Sequence, residues 1–115
     1  MKIEGNRFLL VEDEPIIGFA LEDMMQDRGA ETAFASDSDS AMKIIAEQKF
    51  DGAILDVNLH GTHSYDVARM LLDRGVTLIF ATGYGDKAHP EEFANVPTIP
   101  KPYSIESIVR AFEEA

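Results

Sequence analysis

The chain predicts an α/β fold, (βα) repeated five times on a parallel sheet, and three observations carry that prediction. Short apolar runs alternate with segments whose apolar residues recur at helical spacing. Proline and glycine stand at the starts and ends of the helical segments, where helices tolerate them. Each main apolar run also delivers polar groups at its end, in a fixed chain order. Strands that alternate with helices pair in parallel, with helices on both faces of the sheet. At 115 residues the chain is long enough for one core and too short for two, so residues 1–115 are expected to form one domain.

Phe8 to Val11 reads as the first buried strand. Pro15 opens a helix in which Ile17, Leu21, Met24 and Met25 share a face, and Gly29 closes it. Glu31 to Ala35 is a weaker, edge-like strand. Ser38 to Gln48 carries Ala41, Ile44 and Ile45 at helical spacing, with Ser or Asp near its start as a cap. Ala53 to Leu55 is the next buried strand. His63 to Arg74 reads as a helix with Ala68, Leu71 and Leu72 inward and Gly75 at its end. Thr77 to Ala81 and Pro97 to Ile99 complete the strands. The last helix starts at Ser104, a capping residue, and presents Ile105, Ile108, Val109 and Phe112. Between Thr82 and Val96, Pro90 interrupts any long helix, so the fourth helix is expected to be short, mobile or absent.

Composition narrows the function. The formal net charge of −11 disfavours a sequence-independent grip on nucleic acid, which depends on Lys and Arg neutralising phosphates. With no cysteine there are no disulfides and no thiolate metal sites. No signal peptide is visible, and no apolar stretch approaches the roughly 20 residues of a membrane span. The expectation is a cytoplasmic domain that acts neither on nucleic acid nor at a membrane.

The chemistry lies at the strand ends. Glu12, Asp13 and Glu14 follow Phe8 to Val11, and Asp56 follows Ala53 to Leu55. Thr82 follows Leu78 to Ala81, and Lys101 follows Val96 to Pro100. In a parallel sheet these groups emerge on one edge, where open α/β folds place their sites. Taken singly, each has an ordinary explanation. Acids before a helix complement its dipole, an Asp after a strand is a common turn residue, and most loop lysines are solvated. Together they are harder to dismiss. Unit charges about 4 Å apart repel by about 4 kcal/mol at an effective dielectric near 20, so gathered carboxylates call for a cation or a proton. An oxygen-only set suits Mg²⁺, and Asn58 could add a backbone carbonyl. Lys101 sits between Pro100 and Pro102, which stiffen its backbone. His60 and His63 are spaced for zinc on a helix, but no third convincing nitrogen ligand accompanies them. Both, with His89, read as surface residues.

The ordered set Leu-Val-Glu-Asp-Glu at 10–14, Leu-Asp-Val-Asn at 55–58, Ala-Thr-Gly at 81–83 and Lys-Pro at 101–102 resembles the receiver domain of two-component response regulators from end to end. That resemblance implies a flavodoxin-like sheet of order 2-1-3-4-5. It makes Asp56 the phosphoacceptor and gives Mg²⁺ to Glu12, Asp13, Asp56 and the Asn58 carbonyl. Thr82 and Lys101 would engage the phosphoryl group. Phe80 to Tyr84 further resembles the FATGUY subgroup of single-domain receivers, whose members tend to lack a regular fourth helix, although Gly85 stands where that pattern has an aromatic. Most receivers carry Tyr or Phe three residues before the lysine. Here the position is Thr98, so the usual aromatic switch is absent, with Tyr84 and Tyr103 as candidate substitutes.

The function implied is Mg²⁺-dependent transfer of a phosphoryl group to Asp56 from a phosphohistidine of a histidine kinase or phosphotransfer protein. The phosphorylated domain would then switch a protein-interaction surface or act as a phosphate sink. A receiver-like interaction module that is never phosphorylated is the alternative, although such a module needs neither the acids nor Lys101. A phosphohydrolase acting on external substrates is disfavoured because Asp56-Val57-Asn58 lacks a second acid. A self-contained DNA-binding regulator is disfavoured because no helix-turn-helix follows the last helix.

Overall fold

The computed structural model describes residues 1–59, 62–82 and 90–114. Five parallel strands form its sheet: β1 (Arg7–Val11), β2 (Glu31–Ala35), β3 (Gly52–Asp56), β6 (Thr77–Thr82) and β7 (Thr98–Pro100). Their order is β2-β1-β3-β6-β7, which is 2-1-3-4-5 when only these five are counted. Two short strands, β4 (Asn58–Leu59) and β5 (Thr62–His63), pair antiparallel immediately after β3. The α-helices are α1 (Pro15–Asp27), α2 (Ser38–Glu47), α3 (Tyr65–Asp73) and α4 (Ile105–Glu114). The predicted sheet and its order are therefore present. Between β6 and β7 the described residues hold one 3₁₀ turn, Glu91–Phe93, and no α-helix. Gly83, Tyr84, Gly85, His60 and His89 lie outside the described residues.

Alternation along the central strands builds two cores. Leu9, Val11, Ala53, Leu55, Leu78 and Phe80 face α2 and α3, where they meet Ile45, Val67 and Leu71. Phe8, Leu10, Ile54, Ile79 and Ala81 face the opposite way, toward Leu21 and Met25 of α1 and Ile108 and Phe112 of α4. Strands buried on both faces read as unbroken apolar runs, as these do.

The helix ends follow from local chemistry. Pro15 occupies the first turn of α1, where its missing N–H costs nothing. Asp37 caps α2 by accepting a 2.7 Å hydrogen bond from the Ser40 N–H. The Ser104 hydroxyl accepts from the Ser107 N–H at the start of α4. Gly29 and Gly75 close α1 and α3 with φ of 85° and 75°, a conformation that side chains disfavour. The Ala30 N–H then reaches back to the Met25 carbonyl, and the Val76 N–H to the Leu71 carbonyl.

Two expectations are corrected. The third helix starts at Tyr65 rather than His63, because residues 62–63 pair with residues 58–59. His63 therefore lies on a strand and not in the helix. Leu72 is 38% exposed, whereas Ala68 and Leu71 are fully buried. One residue beyond Leu71 turns about 100° around the helix, and α3 already spends its inward stripe on Val67, Ala68 and Leu71.

No helix among the described residues is long and apolar enough to cross a membrane. Packing leaves no room for a side chain where Gly52 opens β3. A β-carbon there would lie 2.6 Å from Phe8 Cε1 and 3.0 Å from Phe112 Cε1. Those rings are fully buried and pack edge-to-face at 4.9 Å. Gly52→Ala is therefore predicted to lower unfolding stability by about 1–3 kcal/mol through overpacking. Chemical denaturation checks this, and an unchanged midpoint would show that the Phe8–Phe112 pair yields freely.

Candidate functional site

The carboxyl ends of β1, β3, β6 and β7 are brought side by side by the register of the sheet. Val11 pairs with Leu55, Asp56 with Ala81, and Thr82 with Pro100. The residues that follow these ends therefore meet at one edge. Pro15 starts α1 directly after the acids and turns the chain away, leaving Glu12 and Asp13 at the mouth. The carboxylates of Glu12, Asp13 and Asp56 each offer one oxygen, and these oxygens lie within 4.8 Å of one another. Glu12 is 0% exposed and Asp56 4%.

Lys101 enters from the end of β7, following Pro100 and preceding a cis peptide bond to Pro102. Its ammonium donates to Asp56 Oδ2 at 2.7 Å and to Glu12 Oε2 at 2.8 Å, with Glu12 Oε1 at 3.1 Å. Its backbone N–H donates to the Thr82 carbonyl at 3.0 Å, so Thr82 and Lys101 are tied to each other at the edge. Thr82 is half-buried at the end of β6. Asn58 lies two residues beyond Asp56, on β4.

The donor chemistry fits a hard divalent cation. The three convergent groups are oxygen donors, and two of them are withdrawn from water. One ammonium set against three carboxylates leaves two formal negative charges in this cluster. Mg²⁺ prefers such oxygens and retains waters on its remaining positions.

Two interactions here are not signalled by the sequence pattern. The Tyr103 hydroxyl donates to Glu12 Oε2 at 2.9 Å, across 91 residues of chain. Ser64, fully buried ahead of α3, donates its hydroxyl to the Asp56 carbonyl at 2.7 Å, which ties the backbone of β3 to the start of that helix. Tyr103 stood out in the sequence only as a possible stand-in for the aromatic missing at Thr98, and nothing marked Ser64.

Burial alone would lower the Lys101 ammonium, but hydrogen bonds and charges from Asp56 and Glu12 outweigh it and hold the group above its ordinary value of 10.5. Burial, reinforced by the charge of Glu12, pushes the Tyr103 phenol well above its ordinary 10.0. Both groups bind a proton more tightly folded than unfolded. Their contributions to stability are thus fully present below about pH 10 and are lost as pH rises through the folded values. Denaturation at stepwise increasing pH should show stability falling beyond that point. The fall should be shallower in Lys101→Met and in Tyr103→Phe, and parallel curves for all three proteins would contradict the assignment.

Comparison with known proteins gives this geometry a context. The family model for the response regulator receiver domain matches residues 8–113. The DNA-binding response regulator MtrA of Mycolicibacterium smegmatis is 32% identical over 81 residues, which cover 70% of this chain and 36% of MtrA. The chain spans about a third of the length of the curated relatives it matches. Among solved structures, SdrG from Sphingomonas melonis Fr1 is 32% identical with a TM-score of 0.80, covering 98% of this chain and 97% of SdrG. The receiver domain of PhyR from Erythrobacter litoralis is 25% identical with a TM-score of 0.78, covering 97% and 90%. TrrA of Thermotoga maritima, solved in complex with Mg²⁺ and BeF, shares the fold at 23% identity and a TM-score of 0.82, covering 99% and 98%. A family match across nearly the whole chain places it among the receiver domains of two-component response regulators.

Proposed function

We propose that Asp56 is a phosphoacceptor, charged from a phosphohistidine on a histidine kinase or phosphotransfer protein. The observation that carries this reading is the convergence of Glu12, Asp13 and Asp56 with Lys101 bridging two of them. A structural ion pair needs one acid. Three acids around one ammonium make a site with charge held in reserve.

In this reading the Asp56 carboxylate attacks phosphorus as the bond from phosphorus to the histidine nitrogen breaks, and the departing electron pair stays on the imidazole. Glu12, Asp13, Asp56 and the Asn58 carbonyl would hold Mg²⁺, which when bound offsets the negative charge of the phosphoryl oxygens. Lys101 leaves its carboxylate partners to donate to a phosphoryl oxygen, again a charge-assisted hydrogen bond to an anionic oxygen. Thr82, tied to Lys101 through the backbone, supplies a hydroxyl to another oxygen. Loss of the ammonium from Glu12 and its capture by the new group are what turn a chemical change into a surface change. The output is altered affinity for a protein partner, or drainage of phosphoryl groups from a shared kinase. The subgroup resemblance of Phe80 to Tyr84 and a cytoplasmic setting belong to the same proposal.

Intact mass after incubation with acetyl phosphate tests it. Wild-type protein should gain one phosphoryl group only when Mg²⁺ is present, and Asp56→Ala should gain none. An adduct that persists in Asp56→Ala would overturn the assignment of the acceptor. Lys101→Ala should still accept the group, while amide chemical shifts beyond the site stay close to those of the unmodified protein. A full wild-type pattern of shifts in that variant would count against the role of Lys101.

A further inference from the structure

We infer that Tyr103 is a positioning residue for the metal site: its hydroxyl fixes the Glu12 carboxylate in place once Lys101 has withdrawn from it. The inference rests on the proposed Mg²⁺ site and extends it to a residue outside the motif. Glu12 is fully buried and its side chain has three donors: the Lys101 ammonium, the Tyr103 hydroxyl at 2.9 Å, and the Glu14 N–H at 3.3 Å. The Lys101 ammonium and an incoming divalent cation would compete for the same oxygens, since like charges on one carboxylate repel. The Tyr103 hydroxyl is neutral and occupies one lone pair of Oε2, leaving other acceptor positions open. It can therefore stay while the ammonium leaves.

Tyr103 is also built to stay. It is 9% exposed and packed in the core beneath α1 and α4. The Glu14 bond, at 3.3 Å, is too long to hold the carboxylate alone. Hydrogen-bond donation draws some charge from Glu12, which by itself would weaken its hold on a cation. Placement outweighs that effect for Mg²⁺, which demands near-ideal octahedral geometry.

Tyr103→Phe removes one oxygen and keeps the ring. Its dissociation constant for Mg²⁺, measured by calorimetry on the unphosphorylated protein, should rise about tenfold, within the range seen when partners of metal ligands are removed. Thermal unfolding in chelator checks that the variant remains folded. In wild-type protein, the Tyr103 Cζ resonance should move along the same isotherm as Mg²⁺ is added, a readout that does not depend on the variant. A rise of threefold or more together with that shift supports the inference. A smaller change or tighter binding in Tyr103→Phe, or a Tyr103 resonance that stays still while wild-type protein binds Mg²⁺, overturns it and leaves the metal site standing. Failure of wild-type protein to bind Mg²⁺ overturns both.

Discussion

The edge of this domain depends on one ammonium held between two carboxylates that have almost no contact with water. Lys101 reaches Asp56 at 2.7 Å and Glu12 at 2.8 Å from the far end of the chain. A buried charge without a partner is strongly destabilising, so neither acid can lose Lys101 unless another cation or donor replaces it. That constraint makes the arrangement responsive. Whatever adds or removes charge at Asp56 changes what Lys101 must do, and Lys101 is coupled to Thr82 through the backbone and to Glu12 directly.

The scaffold turns a local event into a defined one. Asp56 ends a strand buried on both faces, and its carbonyl is anchored by Ser64. The backbone of the proposed acceptor is therefore anchored independently of its side-chain partners. The 3₁₀ turn ahead of β7 is pinned by aromatic packing: Phe93 stacks on Tyr65 and meets Phe80 edge-on. Arg69 of α3 also pairs with Glu92 at 2.6 Å, an exposed contact that contributes orientation more than stability. Among the described residues between β6 and β7, Phe93 is buried in that part of the core, with Val96 packed against it.

Much of this was legible from local pattern. Buried parallel strands appear as unbroken apolar runs, so the polar residue ending each run marks the sheet edge. Positions 12, 13, 56, 82 and 101 stand out for that reason. Helix limits were readable where a terminus has its own chemistry, as at Pro15, Asp37, Gly29 and Gly75. The start of α3 was not, because two-residue strands leave no period to detect, and Leu72 was misread because an apolar residue flanking the inward stripe looks the same as one within it. The bond from Tyr103 to Glu12 had no local signal at all. It joins residues 91 positions apart and follows from how Tyr103 and α4 pack on the face of the sheet that carries Phe8 and Leu10, which is a property of the assembled core.

The central claim is that Lys101 exchanges carboxylate partners for a phosphoryl group on Asp56. A crystal structure of the protein with Mg²⁺ and beryllofluoride tests it most directly, since that adduct imitates an aspartyl phosphate without its instability. The account predicts beryllium on Asp56, the metal on Glu12 and Asp13, and the Lys101 ammonium within hydrogen-bonding distance of a fluorine and no longer on Asp56. An adduct on Asp56 with Lys101 still bridging Asp56 and Glu12 would contradict it.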